Sequence, residues 1–272
     1  MRALSGEDVK LNWKQYVFLK AFCYPPPGKP DSHDKEMLIG QGNHLMMFET
    51  AFGNDFISAI KNKVVLDIGC GGGVQVISMA QAGAAKSIGV DYRSIFTEAL
   101  NFAAKVGIND KVHLTTDPLR NLGEGSVDVI ASQNAFEHFK DPTVILADAK
   151  YVLKPKGRFF IVFSPPWLHP FGVHMFFMIK YPWAHFLFSE DTIMTVRRMY
   201  RNDGATRFSE TEGGLNQMTI SKFERLVSES GFELKRLNLT PIRIFPMFLT
   251  RLPGLRELIT TVVSAELVKP MT

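Results

Sequence analysis

The chain has 272 residues, 46% of them hydrophobic, enough for one full α/β domain with a sizeable core plus a lid or insertion. Its net charge of +4 is spread along the chain, which argues against a nucleic-acid partner, since phosphate-tracking surfaces cluster Lys and Arg. Two cysteines, one of them inside a glycine loop, argue against a structural disulfide; MRALSGEDVK (1–10) has acids and no apolar run, and no stretch reaches the ~18 apolar residues of a spanning helix, so a cytoplasmic protein without signal peptide is expected.

Residues 1–60 read as an N-terminal helical cap segment. It is interrupted by the proline-rich YPPPGKPDS (24–32), expected to be an exposed loop, and LMMFETAFGNDFISAI (45–60) then carries apolar residues at helical spacing. From there strand and helix alternate. Strands are predicted at 63–69, 86–91, 111–117, 127–133 and 158–163, and helices at 74–84, 96–107 and 143–153, the last stopped by Lys154-Pro155 and Gly157. Continuous apolar strands alternating with helices mean a parallel sheet covered on both faces. The pattern stops at 164–217, a segment of aromatics, prolines and histidines without one period, read as a cap insertion. It resumes with a helix at 219–232 and a strand at 233–239. A short irregular insertion follows at 241–257, and the β-branched LITTVVSAELV (258–268) is expected to close the sheet. The organisation is therefore a core at 61–163 completed by 218–272.

VVLDIGCGGG (64–73) places a glycine loop after the first strand, where open α/β sheets bind ligands. A P-loop would need Gly-Lys-Ser/Thr, but Val74-Gln75 follow Gly73. The dinucleotide fingerprint would use Gly69 and Gly71 and wants Gly or Ala at 74, where Val74 stands. The remaining pattern, Asp67-Ile68-Gly69-Cys70-Gly71-Gly72-Gly73, resembles motif I of the class I S-adenosylmethionine (SAM) dependent methyltransferases. An acid suits a ligand with an ammonium and no pyrophosphate. The next strand ends follow the same family: Gly89-Val90-Asp91, with Tyr92 after it; Thr116-Asp117-Pro118; Ser132-Gln133-Asn134-Ala135-Phe136-Glu137-His138; and Tyr151-Val152-Leu153-Lys154-Pro155-Lys156-Gly157, similar to the stretch before strand five.

The resemblance covers about residues 60–165, with 219–239 fitting the family's end. It implies an α/β fold with a Rossmann-like, seven-stranded, mostly parallel sheet, helices on both faces and an inserted aromatic-rich cap. It also implies SAM as cofactor. Asp67, Gly69, Cys70, Gly71, Asp91, Tyr92, Asp117, Pro118 and Gln133 are the expected contacts, with Asp91 on the ribose, Asp117 on the adenine and Gln133 at the methionine end through backbone contacts. The likeness is to the small-molecule, type 11 branch, whose acceptors include quinones, sterols, sugars and natural products.

Ser164-Pro165-Pro166-Trp167 looks like the amine-gripping tetrapeptide of base and glutamine methyltransferases. It has Ser for the acid or amide and follows strand five rather than four, which counts against a base-modifying enzyme. The cap SPPWLHPFGVHMFFMIKYPWAHFLFSE (164–190) is dense in Phe, Trp, Met and His. It suits an apolar or lipid-like acceptor, or a lid resting peripherally on a membrane surface. His138, His169 and His174 are the candidate bases for a hydroxyl acceptor; Arg207 and Asn216-Gln217-Met218 are weaker candidates for orienting one. No Cys/His spacing of a zinc motif is present, so no metal is expected. The reading is methyl transfer to oxygen of a small or lipid-like acceptor. Its rivals are carbon methylation of a quinone- or sterol-like or natural-product substrate, a nicotinamide-dependent oxidoreductase, and a non-catalytic SAM-fold binding protein.

Overall fold

The computed structural model describes residues 10–27, 42–211 and 213–271. Residues 1–9, read above for a signal peptide, and 28–32 of the proline-rich break lie outside these. In chain order the elements are α1 (Trp13–Phe22), α2 (Met46–Phe52), α3 (Asn54–Ile60), β1 (Val64–Ile68), α4 (Val74–Gln81), β2 (Lys86–Val90), α5 (Thr97–Lys105), β3 (Val112–Thr115) and β4 (Val127–Gln133). Then come α6 (Pro142–Val152), β5 (Leu153–Phe163), α7 (Ala184–Leu187), α8 (Glu190–Arg197), α9 (Ile220–Ser230), β6 (Glu233–Pro241), α10 (Pro253–Ile259) and β7 (Thr260–Val268).

The strands form one seven-stranded sheet in the order β3-β2-β1-β4-β5-β7-β6. The first five are parallel, and β7 enters antiparallel between β5 and β6. Alternate residues divide between the two faces, as the pleat requires. Val65, Val129, Phe160 and Val162 meet Phe48, Phe52, Phe56 and Ile60 of α2 and α3. Leu66, Ile130, Phe159 and Ile161 meet Leu146 and Ala149 of α6 and Phe223, Leu226 and Val227 of α9. Phe48 and Phe56 stack at 4.4 Å, and Phe56 meets Phe160 edge-on at 5.2 Å. β7 is buried along most of its length, and the polar residues in it are buried too: Ser264, and Glu266, which pairs with Arg158 and Lys235.

The expected N-terminal cap segment is in fact two different things. α2 and α3 form a layer of the core, whereas Phe18 and Leu19 of α1 pack with Met178, Ile193, Met194 and Phe208 of the 164–217 insertion. The chain leaving α1 is tied there by backbone bonds, Tyr24 N to Met178 O at 2.8 Å and Lys180 N to Phe22 O at 3.1 Å. The single helix expected over 45–60 is broken at Gly53, whose φ of 61° and ψ of −146° suit glycine alone.

Gly89, in the middle of β2, sets how closely α4 can lie on the sheet. A Cβ there would stand 2.6 Å from both Val76 Cγ2 and Leu114 Cδ2 and 2.8 Å from Cys70 Sγ. Gly89→Ala is expected to lower stability by about 1–3 kcal/mol through overpacking, read by denaturant unfolding. A change below ~0.5 kcal/mol would mean the α4 contact relaxes freely.

Candidate active site at the carboxyl ends of the strands

The loop 69–73 leaves β1 and turns into α4. It is anchored by Gly69 N and Cys70 N, which donate to Val90 O at 2.8 and 3.2 Å. Its glycines do different work. A Cβ on Gly69 (φ +79°) would stand 2.4 Å from Ala135 Cβ, and one on Gly73 (φ +86°) 2.8 Å from Leu114 Cδ1. These two let the loop fit against the protein itself. The Cβ positions of Gly71 and Gly72 meet only ordinary contacts, Arg93 Nη2 at 3.7 Å and Ile95 O at 3.8 Å. Their backbone is less hemmed in than that of Gly69 or Gly73.

Asp91, buried at the end of β2, accepts from Gly71 N at 2.8 Å and from Arg93 N and Nε at 3.0 and 3.2 Å. It therefore ties the loop down. Tyr92 is exposed, and its hydroxyl accepts from Gly213 N at 3.1 Å, while the Arg93 guanidinium covers its ring. Asp117 lies exposed beyond β3, accepting from Thr115 Oγ1 at 2.8 Å, with Pro118 beside it. Gln133 ends β4 with its Oε1 buried and unpartnered. Cys70 is buried, and burial pushes its thiol pKa up, so it is a packing residue rather than a nucleophile.

Asp67 is fully buried, and neither carboxylate oxygen has a hydrogen-bond partner. Burial, and secondarily the Asp91 charge, push its pKa up to about 7. Its carboxylate lies beneath the loop with no exposed surface.

The three histidine candidates do not stay together. His169 uses both ring nitrogens structurally: Nδ1 accepts from Phe171 N at 3.1 Å and Nε2 faces Thr261 Oγ1 at 3.5 Å. His138 and His174 meet edge-on at 5.3 Å. His138 Nδ1 donates to Gly214 O at 2.6 Å and His174 Nε2 to Pro165 O at 2.8 Å, because a carbonyl can only accept. Nε2 of His138 and Nδ1 of His174 therefore carry the free lone pairs. Burial lowers the pKa of both, that of His174 to about 4, so both rings are neutral near pH 7.

Glu137, beside His138, is buried with Oε2 unpartnered, and burial pushes its pKa up to about 8. Glu137 is not among the residues expected from the sequence; a carboxyl adjoining a histidine at a strand end was the available signal. The cap tail closes this corner: Asn216 N donates to Glu137 O at 3.0 Å, and its Nδ2 donates to Phe136 O and Phe139 O at 2.8 and 2.9 Å. Gly213 and Gly214 thus bridge from Tyr92 to His138. Arg207 lies instead on the short turn Phe208–Glu210, held by Glu210. A separate cleft of about 350 Å3, lined by Lys63, Asp128, Lys154 and Arg158, lies at the opposite ends of the strands and is bridged by Lys154 and Asp128.

A parallel sheet closed by one antiparallel strand, with a glycine loop and acids at successive strand ends, defines the class I methyltransferase fold. Residues 66–161 match the family described as "Methyltransferase domain". Over 104 residues it is 32% identical to a protein named ubiquinone biosynthesis O-methyltransferase of Neisseria meningitidis serogroup C, covering 37% of this chain and 44% of that protein. The chain thus spans under half the length of the curated relatives it matches. Among solved structures, one described as a sarcosine dimethylglycine methyltransferase of Galdieria sulphuraria (assigned, not proven, by its description) aligns with a TM-score of 0.55 at 14% identity, covering 84% of this chain and 86% of that one. A geranyl diphosphate methyltransferase in complex with SAM aligns with a TM-score of 0.53 at 13% identity, covering 83% and 87%. At these identities the structural likeness concerns the fold.

Proposed function

We propose that this protein transfers the methyl group of SAM to a hydroxyl oxygen of a small, largely apolar acceptor. The observation that carries the reading is the ordered set of uncrowded glycines, Asp91, Asp117 and the orphaned Gln133 carbonyl at the ends of four neighbouring parallel strands. These residues suit SAM: Gly71 and Gly72 offer backbone, Asp91 the ribose acceptor, Asp117 an acceptor for the adenine amino group, and Gln133 an unused acceptor near the methionine end. Bound SAM supplies a methyl carbon on a sulfonium, open to in-line attack.

The chain's own residues then have three tasks. They hold the acceptor in line, exclude water, and take the hydroxyl proton. The Glu137–His138–His174 corner suits the last, with neutral rings whose lone pairs are free. The relatives named for O-methylation in ubiquinone biosynthesis support oxygen as the target and a quinone-like acceptor as the class. The aromatic cap, whose Trp167 packs on Phe208 at 5.3 Å, suits such an apolar body. Exposed Phe176, Tyr181, Phe186 and Leu187 on the 164–190 segment further support peripheral contact with a lipid surface. No helix among the described residues is long and apolar enough to cross a membrane.

The test is incubation with methyl-labelled SAM and a fractionated cell extract. Label entering the organic phase as an ether is expected; label confined to water-soluble products would overturn the apolar acceptor, and absence of SAM binding would overturn the whole reading. A narrower check is Asp91→Ala, which removes the Gly71 anchor and the ribose acceptor together. SAM affinity is expected to fall ~10–100-fold by calorimetry, the range for a lost charged hydrogen bond. Unchanged affinity would remove Asp91 from the cofactor site.

A further inference from the structure

Glu137, His138 and His174 come from separate parts of the fold, the turn after β4 and the cap insertion. Yet a carboxylate oxygen and one ring nitrogen of each histidine lie within 4.8 Å of one another. Two histidines and a carboxylate, brought together and partly buried, form a mixed N/O donor set of the kind that takes a divalent transition-metal ion. Both imidazoles are already held in a metal-ready tautomer, because one nitrogen of each donates to a backbone carbonyl, Gly214 O for His138 and Pro165 O for His174. Such carbonyl partners are the usual outer contacts of metal-bound histidine. Glu137 keeps one oxygen unpartnered although the side chain is 1% exposed, an arrangement that costs free energy unless a cation or proton meets it. His174 is also held at φ +56°, a left-handed conformation that the surrounding loop must impose.

We propose that Glu137, His138 and His174 bind a zinc-class divalent ion, with coordination positions left for an oxygen ligand. The spacing of the ligands hid it, since no paired Cys/His motif exists and the third ligand comes from the cap. An oxygen bound at such an ion loses its proton more readily, so an acceptor hydroxyl is oriented there and releases its proton to water, in place of proton uptake by the two imidazoles, whose lone pairs the ion then occupies. That role rests on the methyl-transfer reading; the binding of the ion does not.

The full chain, stripped with EDTA and dialysed, is titrated with Zn2+ and separately with Co2+. Saturation at a single equivalent is expected, with a visible Co2+ spectrum of a low-coordinate N/O site. Glu137→Gln and His174→Gln should each weaken Zn2+ binding by ~100-fold or more, at least the loss seen for outer-contact changes. No saturable binding, or binding unchanged in both variants, overturns the proposal. Should either variant fail to fold, X-ray absorption on the Zn2+-loaded unaltered chain decides: scattering from two imidazoles supports the site, and none overturns it. SAM titration in EDTA separates the two readings. SAM binding without any Zn2+ binding removes the metal alone, and Zn2+ binding without SAM binding removes the methyl-transfer reading alone.

Discussion

Gly172→Ala is expected to unseat the cap at its root while the seven-stranded sheet stays folded. A Cβ at 172 would stand 2.0 Å from Trp167 O and 2.6 Å from Pro166 O, both backbone atoms. No rotamer change relieves that contact, so the turn 166–172 must open. The turn is built from His169 N to Pro166 O at 3.0 Å and Gly172 N to His169 O at 2.9 Å, and Trp167 N ties it to Met218 O at 2.7 Å. His174 is two residues further on, so opening the turn also shifts its contact with Pro165. The local loss should be about 2–4 kcal/mol, the upper part of the overpacking range because backbone rather than side chains must move. Hydrogen exchange is the readout. Residues 164–217 should exchange faster while β1, β4 and β5 keep their protection. SAM affinity should stay within ~3-fold and acceptor methylation should fall by more than ~10-fold, the split expected when positioning rather than cofactor binding is lost. Unchanged exchange in the cap would show that the turn accommodates the methyl group, and loss of SAM binding would show that cap and cofactor site are not separable.

The core was legible because its physics is local and repetitive. β4 appears over 127–133 as read, since strands buried on both faces must be continuously apolar, and α6 starts where Asp141 caps it and Pro142 takes the first turn. The β-branched run before the C-terminus became β7, between β5 and β6, although it carries the buried Ser264 and Glu266. Failures occur where one residue's backbone state or a distant partner decides. Gly53 sits inside an unbroken apolar pattern, and only its φ and ψ split α2 from α3. α1 belongs to the cap because of where the chain returns at Met178 and Lys180, which no local period encodes.

The site divides in the same way. The strand-end residues could be placed from order alone, because successive parallel strands deliver their carboxyl ends to one edge. The histidines could not. His138, His169 and His174 are chemically equivalent in the sequence, and only the path of the cap turns His169 toward Thr261 and His174 toward His138. The glycine loop was half legible: a glycine needed for a ligand and one needed for Ala135 or Leu114 look alike until their neighbours are known.

Asp67→Asn should make the ligand-free protein more stable at pH 8. The carboxyl is fully buried without a partner, and its pKa is pushed from 3.8 to about 7. Below about pH 4 it is protonated in both folded and unfolded states and contributes nothing. Between about pH 4 and 7 the unfolded chain ionises first, so stability declines as pH rises, and above about 7 the full penalty of the buried charge is present. An amide of the same shape avoids that penalty, so the variant should exceed the parent by about 1–4 kcal/mol at pH 8, with the difference vanishing near pH 4. Parallel denaturation curves across that range measure it, and equal stability at pH 8 would mean that the carboxylate has a compensating partner. A destabilising charge beneath a glycine loop is the kind of local conflict that function maintains. If the charge serves a cationic ligand, the variant should gain stability and lose SAM affinity together, by calorimetry at pH 8. A gain in stability with SAM affinity unchanged would show that Asp67 holds nothing above it, leaving Asp91 and Gln133 as the polar anchors of the cofactor.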